Sequence, residues 1–190
     1  MTQINLMKAL VQRMGQIVNG YRFQESDGTH ATRQPKVWAQ HLPEKLYDNQ
    51  ADPADYPFVQ VVIVGTTLEN MGERSCQVAI LVAGYDDGLP VDPGDADSAR
   101  DQQGWLIPAE MMDRIVLDLQ VNPRVGGKYD LQYPLTTELP PEQPAPLWYG
   151  LVNASFTLPA PQQSFGMGNV DEAANMLRQD NIEEIFTSKG

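Results

Sequence analysis

Apolar positions along this chain fall into two rhythms. Ile4, Met7, Leu10, Val11, Met14, Ile17 and Val18 recur at three- and four-residue steps, the spacing of an amphipathic helix of about four turns. Gly20 stands where a helix C-terminal cap belongs. A second helical stripe runs through Leu106, Met111, Met112, Ile115, Val116 and Leu119, with Pro108 in its first turn and Asn122-Pro123 at its end. Proline suits that first turn because the N–H it lacks would have no partner there. Extended runs alternate with these helices. Residues 57–65 (PFVQVVIVG) and 75–85 (SCQVAILVAGY) are rich in β-branched and aliphatic side chains, and Asn70 and Gly72 between them suggest a hairpin. Residues 36–42 (KVWAQHL) make a short strand stopped by Pro43. The polar stretch 21–35 is a loop or a weak hairpin around Ser26-Asp27-Gly28.

The clearest alternation lies near the end of the domain. Trp148, Gly150, Val152, Ala154, Phe156 and Leu158 face one way, and Tyr149, Asn153, Ser155 and Thr157 the other. That is a half-buried strand. A proline-studded crossover, Leu139-Pro140-Pro141-Glu142-Gln143-Pro144-Ala145-Pro146, holds it at a fixed offset from the extended segment that Gly126-Gly127 introduces. Its prolines cannot donate to a ladder and so protect a sheet edge from wrong pairing. The two central runs behave differently. Val59, Val61 and Ile63 oppose Phe58, Val62 and Val64, while Val78, Ile80 and Val82 oppose Ala79, Leu81 and Ala83. An antiparallel sheet with one wet face would alternate apolar with polar. The expectation is therefore a sheet covered on both sides, by the chain's helices on one and by a second sheet or a neighbouring subunit on the other.

After Pro159 the character changes. Residues 160–168 carry Phe165 and Met167. Asn169 with Glu172 then forms a capping-box-like start, followed by Val170, Ala173, Ala174 and Leu177. Asp180 with Glu183 can restart a helix bearing Ile182, Ile185 and Phe186. This stripe is too short to bury itself and must dock on the domain or on a partner. The organisation expected is thus a domain over 1–159 and an amphipathic, interface-forming extension over 160–190, which suits a length of 190 residues.

Charge narrows the function. The net charge is −12 and the isoelectric point about 4.4. Affinity for nucleic acid comes from Lys and Arg neutralising phosphates, so this balance argues against DNA or RNA binding. It is compatible with plain solubility, and also with an acidic wall past which a duplex slides. The single cysteine, Cys76, excludes an internal disulfide framework and sits in an apolar run as a small hydrophobe. The first residues lack a signal-peptide pattern, and no apolar run approaches the ~20 residues that cross a bilayer. Folding in a cytoplasm without membrane contact is expected.

Reactive chemistry finds no foothold. His30 and His41 are the only histidines, and neither has the companions of a triad or a metal set. The acidic loop 86–101 offers Asp86, Asp87, Asp92, Asp95, Asp97 and Asp101, but it lacks the twelve-residue calcium spacing and its terminal glutamate. Gly126-Gly127-Lys128 departs from the phosphate-loop pattern and follows a helix where a strand is required. Trp38, Trp105, Trp148 and Tyr149 are not interleaved with basic residues, as a stacking platform for single strands would need. No catalytic, cofactor or metal residue is assigned, and the chain is not expected to be an enzyme.

Several segments together carry a resemblance: an N-terminal helix, HLPEKL, DYPFVQVVIVG, LVAGYDDG, GWLIPAEMMDRIVLDL and YPLTTELPPEQPAPLWYGLVNASFTLP. Over about residues 1–159 this resembles the tail terminator (tail-completion) proteins of long-tailed bacteriophages. The resemblance implies an α+β domain, a mixed or antiparallel sheet of about four to five strands backed by two helices. The tail beyond, for which there is no family motif, adds a C-terminal helical extension. It implies a structural virion protein, assembled in the host bacterial cytoplasm, that forms a homo-hexameric ring at the head-proximal end of the tail. Such a ring caps the tail tube, ends its polymerisation and offers a surface to the head-side connector. Partners implied are further copies of itself, tail-tube protein and the connector or neck protein, with sheath protein a further candidate, while DNA passes the lumen without specific binding. Candidate interface residues are Leu139, Pro140, Pro141, Pro144 and Trp148 in the crossover, and Phe165, Met167, Leu177, Ile182, Ile185 and Phe186 in the tail. Asp86, Asp87, Asp92, Asp95 and Asp97 are candidates for an acidic loop or lumen. The loop 86–101 is longer than usual for the family. A head–tail connector or neck protein, and a small acidic hydrolase or metal-dependent enzyme, are the competing expectations.

Overall fold

The computed structural model describes residues 3–24, 30–32, 34–46, 52–68, 74–88, 103–143 and 145–159. The chain divides into a unit of Met1–Ala160 and a unit of Pro161–Gly190. In chain order the first unit contains helix α1 (Gln3–Ile17), strands β1 (Arg22–Gln24), β2 (His30–Thr32) and β3 (Lys36–Ala39), short 3-10 turns at Glu44–Leu46 and Pro53–Asp55, strands β4 (Phe58–Leu68) and β5 (Arg74–Tyr85), helix α2 (Leu106–Val121), and strands β6 (Arg124–Val125), β7 (Tyr129–Glu138) and β8 (Leu147–Leu158).

The architecture is α+β. Among the described residues two helices back a six-stranded sheet in the order β3-β4-β5-β8-β7-β6, and β1 pairs with β2 in a separate two-stranded sheet. β3 runs parallel to β4, and the other pairs are antiparallel. The sheet has more strands than the four to five expected. The additional strand, β6, exists because Gly126 and Gly127 both adopt positive φ (56° and 68°), which brings Lys128 N within 3.2 Å of Val125 O. Side chains other than glycine rarely enter that region.

Packing follows the helical stripes with a shift of a residue or two. α1 buries Leu6, Met7, Leu10 and Met14, and α2 buries Ile107, Pro108, Met111, Met112, Ile115 and Leu119. Both lie on one sheet face made of Val59, Val61, Val78, Ile80, Val82, Val152, Ala154 and Phe156. Ile4 and Leu106, expected inside, are exposed. Around the helix Leu6 lies about 40° from Leu10 and Ile4 about 120°, which places Leu6 over the sheet. The C-terminal end of α2 is fixed by Arg13, whose Nε donates to Asp118 Oδ2 at 2.6 Å and whose other nitrogens reach Asp118 O and Arg124 O. Tyr21 fixes the other end: its hydroxyl lies 3.0 Å from Glu110 Oε2 and 3.3 Å from Ile107 O. Burial, then the neighbouring Glu110 carboxylate, push that phenol well above its ordinary range.

Gly84 and Gly150 let α2 approach the sheet closely. A Cβ at Gly84 would stand 2.7 Å from Ile107 Cγ2, and one at Gly150 would stand 2.6 Å from Met112 Sδ. The sheet is also bulged twice, between Ile63 and Gly65 in β4 and between Gln132 and Thr136 in β7. Both bulges flank the same cross-strand pair, Val78 and Ala154, so the local bends that bulges impose fall on one line.

Candidate interaction surface

The sheet face opposite the helices is where the sequence expected a cover. The register lays it out in rows: Phe58–Ala83–Tyr149, then Gln60–Leu81–Leu151–Glu138, then Val62–Ala79–Asn153–Thr136, then Gly65–Gln77–Ser155–Gln132, and last Thr67–Ser75–Thr157. The first row is apolar, the next two mix apolar and polar residues, and the last two are polar apart from Gly65.

The chain itself covers the apolar end. Tyr56, Phe58 and Ala83 form a small buried cluster, against which Trp38, Leu42, Leu46, Leu81, Tyr85, Leu147 and Tyr149 pack. Tyr56 lies 5.2 Å from Phe58 and 6.0 Å from Tyr85 between ring centroids. Asp55 staples this cover down. Its carboxylate is buried, with Lys36 Nζ at 2.8 Å from Oδ1 and Lys45 Nζ at 2.6 Å from Oδ2. Hydrogen bonds from Lys36 and then Lys45 hold its pKa below the ordinary carboxylate value. Full cover by a second sheet or subunit is therefore not required by the apolar count: the covering segment and the polar row of Asn153, Ser155 and Thr157 relieve most of it.

What stays open is uncharged. Across β4, β5 and β8 this face carries no Lys, Arg, Asp or Glu. Glu138 and Asp130 of β7 stand at its margin, and Asp130 is paired with Arg124 at 2.6 Å. A shallow depression at the line of bulges is lined by Val64, Gln77, Pro134, Asn153 and Ser155 among others. Val64 is 63% exposed, high for a large hydrophobic residue. In a chain with one residue in five charged, this face shares the depletion of charge that marks the centre of protein interfaces.

The sheet edges are treated unevenly. β3 shields β4 over Phe58–Val61, and Gln40, at φ 61°, extends that shield by one step. Its backbone N donates to Val61 O at 2.8 Å, and its side-chain amide accepts from Ile63 N at 3.0 Å. At the start of β8, beyond the end of β7, Gln143 does the same. Its Oε1 accepts from Tyr149 N at 2.5 Å and its Nε2 donates to Pro140 O at 3.0 Å. The contact that the crossover makes with this strand's edge is a glutamine amide and not one of its prolines. On β7, β6 and the carbonyl of Pro123, which accepts from Leu131 N at 2.8 Å, cover the beginning of the strand.

The candidate residues from the sequence separate accordingly. Trp148 is committed to the domain's own packing and is 6% exposed, with its Nε1 donating to Asp86 O at 3.1 Å beside Gly104. Leu139 packs against the main core. Pro140 is half-buried and Pro141 exposed. Asp86 is a turn residue whose carboxylate accepts from Gly88 N at 2.9 Å, and Asp87 receives the Tyr85 hydroxyl at 3.1 Å. Pro144, Asp92, Asp95, Asp97, Phe165, Met167, Leu177, Ile182, Ile185 and Phe186 lie outside the described residues. The open face was legible only in part, because its neutrality depends on register between strands distant in sequence.

Among the described residues no three His, Cys, Asp or Glu side chains are grouped to hold a metal ion, and no helix is long and apolar enough to cross a membrane. Cys76 is buried, and that burial raises its thiol pKa. No protein-family model and no curated protein matches the chain.

Proposed function

We propose that this chain is a structural assembly protein of a long-tailed phage virion. In this reading it forms a homo-hexameric ring on the head-proximal end of the tail tube, stops tube growth and receives the head-side connector. The observation that carries the reading is the neutral, partly apolar sheet face left open by the helices, joined to the tail-terminator resemblance of residues 1–159. A neutral face suits protein contact, and a chain of net charge −12 suits a ring through which DNA moves without adhering. Asp86 and Asp87 support turns and need no lumenal task to account for them.

Purified protein added to polymerising tail-tube protein tests the proposal. Tubes of restricted length with a ring on one end, seen by electron microscopy, are the expected result. Unrestricted tubes with bare ends would overturn it. Binding to connector protein with no affinity for tube ends would move the chain to the neck.

A further inference from the structure

We infer that copies of this chain join side by side through the stepped edges of the six-stranded sheet, in a head-to-tail joint. The inference rests on the ring reading above for the identity of the partner, a second copy, and adds which edges meet.

Each edge of the sheet is a step. On one side β3 covers only Phe58–Val61, so the later part of β4, from Gly65 to Leu68, has no strand beside it among the described residues. On the other side β6 covers only Tyr129 and Asp130, so β7 from Thr136 to Glu138 has none. The register shows that the two steps are complementary. Trp38 and Ala39 of β3 lie level with Leu151 and Val152 through Gln60 and Val61, and Glu138 and Thr137 of β7 pair with those same two residues. Thr67 of β4 lies level with Thr157 through Ser75. Leu131 pairs with Phe156, which sets Asp130 and its partner Arg124 at that same level. The projecting strand of each edge is thus opposite the recess of the other, with no sliding along the strands.

Placed side by side, β3 of one copy fills the recess beside β7 of its neighbour, antiparallel to it. β6 of the neighbour fills the recess beside β4, parallel to it. The unshielded stretches keep the features that make strand edges join. Gly65–Leu68 has no charge or proline, Thr136 and Thr137 are neutral with Glu138 the one charge of the β7 recess, and Leu68 and Tyr133 are exposed at the two edges. Natural proteins place charges, prolines or cover on edges that must not pair, and this chain does so elsewhere through Gln40 and Gln143. Two different edges meeting make a heterologous joint, which closes into a ring when the rotation between copies allows it.

Cysteine cross-linking tests the joint. Arg124 and Thr67 are exposed and would face each other across it, while the native Cys76 is buried. The double variant Arg124→Cys/Thr67→Cys should give a ladder of covalent oligomers on mild oxidation. Each single variant should remain unlinked, and the two singles mixed should stop at a covalent dimer. Adding Thr137→Lys to the double variant should weaken the ladder at least tenfold. A dimer from either single variant alone would show a like-with-like joint and overturn the inference, as would a double variant that never links at concentrations up to millimolar. Restricted, capped tubes without a ladder would sink the joint and leave the function standing. A ladder without tube capping would do the reverse.

Discussion

Asp55 ties three separate pieces of chain together through Lys36 and Lys45, so its ionisation state has structural consequences. Its pKa is lowered in the folded protein. A depressed carboxylate pKa contributes stability that is complete above the unfolded value, near 4, and is lost as pH falls through the lower folded value. Asp55→Asn should therefore lower the thermal midpoint at pH 7, and the gap from the parent should close as pH drops below about 4. A gap that stays constant with pH would show that shape, not charge, is what the residue supplies. This pair of contacts was not legible in the sequence: the acidic linker shows as a polar loop, and nothing in its spacing points to lysines ten and nineteen residues earlier. Trp148 illustrates the same limit. Its alternation set it on one face with Val152 and Phe156 and its place after the crossover made it an interface candidate, whereas the structure seats it in the domain, its indole N–H satisfied by Asp86 O and its ring on Gly104.

At the scale of elements, periodicity carried most of the reading. The two helices, the antiparallel β4–β5 pair and the β7–β8 pair across the crossover lie where apolar spacing places them, while Asn70 and Gly72 lie outside the described residues. The parallel β3–β4 pair and the two-residue β6 were not legible, because short strands take their identity from a neighbour, not from a repeat of their own. Glycine positions on the inward face of β5 and β8 acquire a cause in the seating of α2. Gly84 meets the β-branched Ile107, which has little freedom to move, whereas Gly150 meets the flexible end of Met112. Gly84→Ala should cost about 1–3 kcal/mol in chemical denaturation, and Gly150→Ala distinctly less. Equal losses would mean that the helix shifts as a body to accept either methyl group.

For the whole molecule, the neutral sheet face across β4, β5 and β8 is the feature on which the proposed assembly role rests. Val64→Lys puts a charge on that face at an exposed position. Folding stability should stay within about 0.5 kcal/mol of the parent, while ring formation on tube ends, counted by electron microscopy, should fall sharply. Unchanged capping would remove the face from the interface. The glutamine amides on the sheet edges reach further. Near pH 4.4 the chain's net charge vanishes, and copies cease to repel one another. Carboxylate guards would be partly neutralised there, but Gln40 and Gln143 do not titrate and keep their bonds to Ile63 and Tyr149. An isoelectric precipitate of this protein should consequently be an association of intact molecules and not a cross-strand tangle. Returned to pH 7, it should redissolve with its original circular-dichroism spectrum.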